Sequence, residues 1–454
     1  MPEAGNIRLN PEGFASISNG QGLLRVPVAG QHFLSRASWT LVDQCVVSGG
    51  NFLLNVLLAR TLSQDDYGEF ALFLGAIFLL RTIDYSFISY PLSVQLCVVG
   101  DEERPRLLGN TAVLAVALSL VLLVLMAIGT TVLEEENILL PACLCYLCWQ
   151  AQETSRRFLL ADFRYREAVA GDGVAFVGQV VLIAVLLWID SITLSTALYV
   201  MSATFSLGAL VHTLKLRFAR PDIGELRSLA LEYLSVGKWS LVSYLLVLLR
   251  VQLFPWLLAA FAGTAATASL QAGLNIANMM NPIIFGIGNA IPQIAAHAHR
   301  SGGILGASRA AYHYVLFGLG PILVICAAAV LMPDLLLRSV YGPLSPYLAA
   351  AAGLQLLALA GVLDYIAEMI SKTLLGVQAG KIAFVVNVVA AVAALALALA
   401  LIGPLGVFGA CVALLIANSV RMIGATTAIA WLITREKAKA QVMLAANSNA
   451  AAKP

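Results

Sequence analysis

Long apolar stretches recur along the whole chain and determine its predicted architecture. Twelve of them are long enough to cross a membrane, because about 20 helical residues span a hydrocarbon core of about 30 Å. Lipid offers the backbone no hydrogen-bond partners, so such stretches are expected to be helices. We therefore predict an all-α, polytopic membrane protein with about 12 transmembrane helices. The predicted spans are Ala37–Leu58, Glu69–Gln95, Leu107–Ile128, Ile138–Leu160, Ala168–Trp188, Thr193–Leu214, Trp239–Phe261, Ala265–Pro292, Ala310–Leu331, Pro346–Leu374, Ile382–Leu401 and Leu405–Leu432.

Basic residues are unevenly distributed among the gaps between these spans. With the N-terminus in the cytoplasm, 22 of the 27 lysines and arginines fall in cytoplasmic segments or at cytoplasmic span ends, where Arg156, Arg157 and Lys372 lie. Only Arg60 and Arg338 fall in external loops, and three further arginines lie deeper within spans. Cytoplasmic loops of membrane proteins carry an excess of basic residues. The pattern predicts a multi-pass protein with both termini in the cytoplasm.

The longest connector divides the spans into two sets of six, each entering from the cytoplasm. We predict two six-helix lobes, residues 37–214 and 239–432, on either side of a cytosolic linker at residues 215–238. Parallel halves of this kind suggest two bundles around a central cavity that forms the transport path. Residues 1–36 and 433–454 are predicted to be cytosolic tails. We expect the first to be mostly disordered, without a cleaved signal peptide, and the second to fray.

Composition narrows the class of protein further. The chain is 60% hydrophobic and 11% charged, with a mean hydropathy of +0.87, which excludes an ordinary soluble domain. Its formal charge of +2 comes without a contiguous basic stripe, so no nucleic-acid partner is expected. Cys143, Cys145 and Cys148 do not converge on one side of a helix, so we predict no metal site. No phosphate-binding glycine loop is present, and no cofactor is expected.

Three arginines lie deep within predicted spans, at Arg81, Arg250 and Arg421. A charge inside a span is costly and normally faces a protein interior or an aqueous cavity. Asp84 follows Arg81 at i+3, close enough on the helix to pair with it, whereas Arg250 has no acid within four residues on its own helix. Arginine binds phosphate oxygens through a planar, bidentate fork. We predict that the three arginines bind substrate, and that Arg250, with Arg81 contributing, holds a phosphate group.

Neutral polar residues form one face of the first span and one face of the eighth. They recur at helical spacing, at Gln44, Ser48, Asn51 and Asn55 and at Gln271, Asn275 and Asn278. We predict that Asn51, Asn55, Gln271, Asn275 and Asn278 line a wide, polar and net basic cavity and bind substrate there. A head group that carries both phosphate and sugars fits such a cavity. The alternative is that these residues only form hydrogen bonds between helices.

The tenth span carries a charged stripe, with Asp364, Glu368 and Lys372 at every fourth residue. A carboxyl group in a partly dry stripe can exchange a proton or another cation as access alternates. We predict that Asp364 or Glu368 takes part in coupling to H⁺ or Na⁺, with Asp84 as a further candidate. The alternative is a simple ion pair between Glu368 and Lys372.

Three sequence blocks resemble the polysaccharide-export branch of the multidrug/oligosaccharidyl-lipid/polysaccharide flippase superfamily. Leu58–Ala71 (LARTLSQDDYGEFA) is similar to the Leu-Ala-Arg stretch and acidic Tyr-Gly turn at the end of that family's first span. Ser339–Pro343, before Tyr347, resembles the aromatic-Gly-Pro turn that precedes the tenth span. Ile402–Ala410 resembles the Gly-x-x-Gly-Ala entry to the twelfth, except that Leu405 stands where the family commonly has a basic residue.

The resemblance implies a flippase that moves an undecaprenyl-pyrophosphate-linked oligosaccharide repeat unit across the bacterial inner membrane by alternating access. Its product would serve exopolysaccharide, capsule or O-antigen biosynthesis, together with a polysaccharide polymerase and export machinery. An ion gradient usually drives such transport. The similar blocks are turns, so the resemblance assigns no functional residues in this chain.

Three other functions compete with this one. A small-molecule exporter of the same superfamily that acts on cationic drugs would need a cavity dominated by acids, whereas Arg81, Arg250 and Arg421 offset the acids here. A polytopic polymerase or ligase would be expected to have a long external loop rich in Arg and His, which the sequence lacks. A scaffold without transport activity would have no reason to bury arginines. We rank the flippase first.

Overall fold

A computed structural model of the chain describes residues 7–9, 14–19, 22–27, 31–96, 99–132, 136–189 and 191–451. From residue 31 onward, the described residues form helices joined by short turns. The predicted all-α membrane architecture is confirmed, both by these helices and by the fold that they share with known membrane transporters.

The first lobe contains eight helices and two π-helical segments. Ser63 begins α2, where its Oγ accepts a hydrogen bond from the N–H of Asp66 at 3.0 Å. A reciprocal pair of side-chain hydrogen bonds between Thr193 and Thr196 begins α8. In order, the elements are α1 Gln31–Thr61, α2 Gln64–Asp84, the π segment Tyr85–Ser89, α3 Tyr90–Gln95, α4 Arg104–Val132, α5 Glu136–Ala161, α6 Tyr165–Asp172, the π segment Gly173–Val177, α7 Gly178–Trp188 and α8 Leu194–Thr213.

The second lobe begins within the linker. Asp222 begins α9 and accepts a hydrogen bond from the N–H of Gly224 at 2.9 Å, so the linker is already helical before the predicted seventh span. The elements are α9 Ile223–Ala262, α10 Thr264–Ala277, the 3₁₀ turn Asn278–Met280, α11 Asn281–Leu331, α12 Pro333–Tyr341, the 3₁₀ turn Pro346–Ala350, α13 Ala351–Gly376 and α14 Gly380–Ala451. Gly303 interrupts α11 and Gly406 interrupts α14, each with a positive φ, of 59° and 55°.

Nine helical segments of the described chain are long and apolar enough to cross a membrane. Two of them, Thr264–Leu331 with 68 residues and Gly380–Lys439 with 60, are too long for one crossing at about 1.5 Å per residue. Each contains one of the glycine kinks, so each accounts for two of the predicted spans. The fourth predicted span corresponds to α5, whose charged residues lower its hydropathy. The nine segments and α5 together cover all twelve predicted spans.

The described parts of the two tails differ from expectation. Strands β1 Ile7–Leu9, β2 Phe14–Asn19 and β3 Gly22–Pro27 form an antiparallel sheet in the segment predicted to be mostly disordered. The β2–β3 register pairs Asn19 with Gly22 across a two-residue connection, which is typical of a hairpin. At the other end, α14 continues to Ala451 where fraying was expected. Its residues there are mostly alanine and other good helix formers.

The lobes contact each other where α2 packs against α10, on the predicted external side. Arg60, at the end of α1, donates hydrogen bonds to the carbonyl oxygens of Val340 and Ser339, at 2.6 and 2.8 Å. Thr264 donates to Asp65 at 2.5 Å. A Cβ at Gly68 would lie 2.1 Å from the carbonyl oxygen of Thr264, so only glycine permits this approach.

On the opposite side, α9 packs against α4 and the first π segment. The Tyr233 and Thr111 hydroxyls lie 2.9 Å apart, and a Cβ at Gly237 would meet the ring of Phe87 at 2.4 Å. The rings of Tyr85 and Tyr244, one from each lobe, meet edge to face at 5.0 Å. The π segment therefore lies between the first lobe and the second, beside the charged residues described next.

Candidate functional site

Most charged residues of the predicted spans come together in two clusters, one in each lobe. The first cluster surrounds α5 and the second surrounds α13, the helices that form the fourth span of each lobe. The N-lobe cluster contains Asp43, Arg81, Glu153, Arg156, Arg157 and Asp172. The C-lobe cluster contains Arg250, Asp364, Glu368, Lys372 and Arg421.

The inner part of the N-lobe cluster is closed to solvent. Arg156 pairs with Asp43 of α1, and its Nε lies 2.5 Å from Asp172 Oδ2 of α6. Gln152 donates to the other oxygen of Asp172 at 2.6 Å, and His212 Nε2 lies 2.8 Å from the carbonyl oxygen of Ala168. Buried charges are tolerated when they are paired and hydrogen-bonded in this way. This part of the cluster fastens α1, α5, α6 and α8 together.

The outer part of the N-lobe cluster faces a cavity. Glu153 accepts from Arg157 Nε at 2.7 Å through Oε1, and its Oε2 lies 2.8 Å from Arg81 Nη2. The Arg81 guanidinium lies 5.0 Å from the ring centre of Trp149, and that of Arg157 lies 5.0 Å from the ring centre of Tyr85. The cavity has a volume of about 240 Å³. It is lined by Phe78, Arg81, Thr82, Asp84, Tyr85, Ser89, Gln150, Glu153, Arg157, Tyr244 and Leu248.

The predicted pairing of Arg81 with Asp84 is not observed. Arg81 extends toward α5 and pairs with Glu153, because a carboxylate on a packed neighbouring helix is closer than the one at i+3. Asp84 is buried, and its Oδ1 has no hydrogen-bond partner among the described residues. This cavity is lined by two bases and two acids, so it is balanced in charge where the sequence predicted a net basic cavity.

The C-lobe cluster forms a continuous network of ion pairs. Arg250 Nη1 lies 2.8 Å from Asp364 Oδ1, and Arg421 Nη1 lies 2.8 Å from the same oxygen. Arg421 also pairs with Glu368, whose Oε1 lies 3.4 Å from Lys372 Nζ. Asn418 accepts from Arg250 at 2.8 Å, and Asn387 accepts from Arg421 at 2.9 Å. Glu368 therefore forms ion pairs with both Arg421 and Lys372, and the second of these is the pair that the charged stripe suggested.

Arg250 has no acid nearby on its own helix, and its carboxylate partner is Asp364 of α13. The prediction that Arg250 holds a phosphate was based on the absence of an acid on its own helix; that absence stands, but another helix supplies the acid. Arg250 and Asp364 border a smaller cavity of about 110 Å³, together with Asn278 and Asn418. One base and one acid balance its charge. Arg421 is almost fully buried and lines neither cavity.

The predicted neutral polar residues divide between two environments. Asn55 donates to the carbonyl oxygen of Asn51 at 2.9 Å and accepts from the Tyr67 hydroxyl at 3.2 Å. Asn275 donates to the Tyr341 hydroxyl at 3.4 Å. Asn55 and Asn275 therefore fasten helices, as the alternative proposed, whereas Asn278 lines the smaller cavity. Asn51 and Gln271 are half-buried and line neither of the two cavities.

Sequence reasoning missed the residues that organise the N-lobe cluster. The distribution of basic residues places Arg156 and Arg157 at cytoplasmic span ends, and it does not point to Glu153, Asp43 or Asp172. A signal was present, because Glu153, Arg156 and Arg157 fall at i, i+3 and i+4 within one predicted span. In the described part of the chain, no group of three or more His, Cys, Asp or Glu residues, the cysteines included, is placed to hold a metal ion.

Two family models match the sequence. The family model described as polysaccharide biosynthesis protein matches residues 33–298, more than half of the chain. The MatE family model matches residues 240–400. No curated protein matches the sequence.

Solved structures share the fold at low sequence identity. A multidrug resistance MATE family transporter of the MOP superfamily, in an inward-facing conformation, is similar with a TM-score of 0.68 and 16% identity, over 89% of this chain and 95% of that one. The lipid II flippase MurJ, in an inward closed conformation, has a TM-score of 0.68 and 12% identity over 87% of each chain. A MOP superfamily transporter from Pyrococcus furiosus Vc1 has a TM-score of 0.62 and 13% identity, over 89% and 95%.

The resemblance in the three sequence blocks is thereby confirmed. Two lobes of membrane-spanning helices, each with a charged cluster beside a cavity, occur in a chain whose fold is that of MOP superfamily transporters. The chain belongs to the polysaccharide biosynthesis protein family, and it is a multi-pass membrane transporter rather than an enzyme.

Proposed function

We propose that this protein is a flippase for an undecaprenyl-pyrophosphate-linked oligosaccharide repeat unit. It would move the unit from the inner to the outer face of the bacterial inner membrane, with both of its own termini in the cytoplasm. Its product would enter exopolysaccharide, capsule or O-antigen biosynthesis, where a polymerase and export machinery would act next. Membership of the polysaccharide biosynthesis family supports this proposal, as does the fold shared with a lipid II flippase.

The observation that carries the proposal is the pair of arginines at the N-lobe cavity. Arg81 and Arg157 come from different helices, and both reach the same cavity. Their side chains are 19% and 37% exposed, so both side chains are partly accessible from the cavity. Two guanidinium forks offer the planar, bidentate geometry that binds phosphate oxygens well. We assign the pyrophosphate to Arg81 and Arg157, and we give Arg250 and Arg421 the role of holding the C-lobe helices together.

The remaining lining suits the sugar end of such a substrate. Tyr85 and Tyr244 approach the cavity from the two lobes, and Gln150 and Ser89 add further polar groups. These side chains offer both hydrogen-bond donors and acceptors to sugar hydroxyls. The volume of about 240 Å³ is below the 300–1,000 Å³ common for ligand pockets. A whole repeat unit would therefore require the lobes to separate further, as alternating access provides.

The coupling ion is assigned to the other lobe. Asp364 and Glu368 have side chains that are 28% and 26% exposed, more than the arginines that hold them. A partly exposed carboxylate next to a cavity can release its ion pair to bind H⁺ or Na⁺. Asp84, which has no ion pair among the described residues, remains a further candidate in the N-lobe cavity.

Complementation of a flippase-null strain tests the assignment of the phosphate site. We expect the double variant Arg81→Ala, Arg157→Ala to lower surface polysaccharide about a hundredfold or more, since each charge-assisted hydrogen bond contributes about 1.5–3 kcal/mol. The matched control is Arg217→Ala, Arg220→Ala, which removes two exposed arginines from the linker. Membrane abundance is measured in parallel. Wild-type polysaccharide from the Arg81, Arg157 double variant would overturn the phosphate site.

The match of the MatE family model to residues 240–400 favours a second candidate, an ion-coupled small-molecule exporter. The balanced charge of the N-lobe cavity is compatible with a cationic solute bound by Glu153 and Asp84. The same strain distinguishes the two functions. A flippase restores surface polysaccharide without changing drug resistance, whereas an exporter raises the resistance of a pump-deficient strain to cationic drugs and leaves polysaccharide unrestored.

A further inference from the structure

Glu153 lies at the centre of the N-lobe cavity site, between three arginines. Its Oε1 accepts from Arg157 Nε at 2.7 Å, and its Oε2 lies 2.8 Å from Arg81 Nη2 and 3.6 Å from Arg156 Nη1. The side chain is only 10% exposed. One carboxylate therefore occupies the position between the cavity arginines that an anionic ligand would also seek.

The arginines do not depend on Glu153 equally. Arg156 has two further carboxylate partners, Asp43 and Asp172, and remains compensated without it. For Arg81 and Arg157, Glu153 is the single carboxylate partner within 4 Å among the described residues. Glu153 is thus the counter-ion of the two arginines that face the cavity.

Both cavity arginines also retain unused hydrogen-bonding capacity. Arg81 Nε is buried and has no hydrogen-bond partner in the described part of the chain. Arg157 uses its Nε for Glu153, while its side chain stays 37% exposed. A guanidinium carries five N–H donors, and a carboxylate shared between two of these groups cannot satisfy them all. A phosphate or pyrophosphate group, with more oxygens and more charge, can satisfy more of these donors.

The Arg81–Glu153 pair also has a mechanical consequence. It is the salt bridge that joins α2 to α5 among the residues that the structure describes. Directly after α2 comes the π segment Tyr85–Ser89, which contacts α9 of the second lobe through Tyr244 and Gly237. Breaking the pair would loosen α2 from its own lobe at the point where it contacts the other one.

We propose that Glu153 is an exchangeable counter-anion. It binds Arg81 and Arg157 while the cavity is empty, and the phosphate of the substrate displaces it. This inference rests on the proposed function, because it assumes that the two arginines bind phosphate. Glu153 then lowers the affinity of the empty site for stray anions and releases α2 only when the correct ligand arrives. It is a positioning residue for the arginines and makes no contact with the substrate itself.

Binding of inorganic pyrophosphate to the purified full-length protein tests the exchange, measured by titration calorimetry in lipid nanodiscs. Removing an internal competitor should tighten binding, so Glu153→Gln is expected to lower the Kd by about tenfold or more, the scale of one close charge pair. Glu153→Asp keeps the charge but withdraws it by one methylene, and it should fall between wild type and Glu153→Gln. The matched control is Glu167→Gln, which removes the partner of Arg164 far from the cavity and should leave the Kd unchanged.

The outcomes separate this inference from the function on which it rests. The thermal unfolding midpoint of each variant shows whether it is folded. If Glu153→Gln does not fold, the Kd of Glu153→Asp tests the exchange instead. If wild type binds pyrophosphate and Glu153→Gln binds it equally well or more weakly, the exchange is overturned. The phosphate site is not affected by that result. Absence of pyrophosphate binding in every variant, or binding that survives Arg81→Ala, Arg157→Ala, overturns the phosphate site and the exchange with it.

Discussion

The two lobes carry charged clusters built from similar groups, but their arginine–carboxylate pairs differ in which member is more exposed. In the N-lobe, Arg157 is 37% exposed while its partner Glu153 is 10% exposed. In the C-lobe the order is reversed, since Arg421 is 2% exposed while its partner Asp364 is 28% exposed. In the N-lobe pair the guanidinium is therefore the more accessible member, and in the C-lobe pair the carboxylate is.

The buried interiors of the two clusters also differ in which helix supplies which sign of charge. In the C-lobe, α13 carries the acids, and arginines reach it from α9 and α14. In the inner N-lobe, α5 carries Arg156, and the acids reach it from α1 and α6. The linings of both cavities are balanced in charge, so net charge alone does not distinguish them. What distinguishes them is which member of each ion pair is more exposed and so more available to a ligand.

Loss of the central arginine should destabilise the protein more in the N-lobe cluster than in the C-lobe cluster. Arg156→Ala would strand Asp43 and Asp172, which are almost fully buried, so we expect destabilisation of about 3–5 kcal/mol, typical of a broken buried pair. Arg421→Ala should cost less, because Asp364 keeps Arg250 and Glu368 keeps Lys372. Thermal unfolding in detergent and abundance in the membrane measure the difference. Equal losses of stability in the two variants would contradict the expected difference between the clusters.

The next effect concerns coupling, which we place in the C-lobe. Asp364→Asn and Glu368→Gln should each weaken the dependence of transport on an imposed proton or sodium gradient in proteoliposomes, because they remove the exposed carboxylates of the cluster. Glu232→Gln, in the exposed linker, is the control. If both cluster variants keep the wild-type dependence and Asp84→Asn loses it, coupling belongs to the N-lobe cavity instead.

The smallest effect is expected outside both clusters, where the linker joins the lobes. The pKa of Asp222 is lower than its usual value, because its carboxylate accepts a hydrogen bond from the N–H of Gly224 and lies beside the side chain of Arg106. Because the pKa of Asp222 is lower in the folded protein than in the unfolded chain, its stabilisation is present above the unfolded value of about 3.9 and is lost as pH falls through the folded one.

Hydrogen exchange at the start of α9 measures this contribution. At neutral pH, Asp222→Ala should lower the protection of the Gly224 region a few-fold relative to wild type, and the difference should shrink as the pH falls below about 4. Neither cluster should change its protection. A loss of protection that spreads into α5 or α13 would show that the linker and the clusters are coupled.

The predicted spans agree with the helices where hydropathy is uniform, as in α4 and α8. The sequence pattern was less informative for α11 and α14, each of which hydropathy divides into two spans. The kinks at Gly303 and Gly406, where the chain changes direction, were not predicted. The stripe Asp364, Glu368 and Lys372 was found from helical periodicity alone. The ion pairs of Arg81 and Arg250 were not, because both partners come from helices that are distant in the sequence.

The sequence alone was enough to predict a helical, multi-pass membrane protein, because hydrophobicity and span length are local sums along the chain. It also identified the deep arginines, since a charge within an apolar stretch is visible without a fold. Which arginines are neutralised and which face a cavity could be seen only in the packed structure. That choice depends on the packing of α2 against α5 and of α9 and α14 against α13, where a carboxylate at 2.8 Å outweighs any neighbour in the sequence.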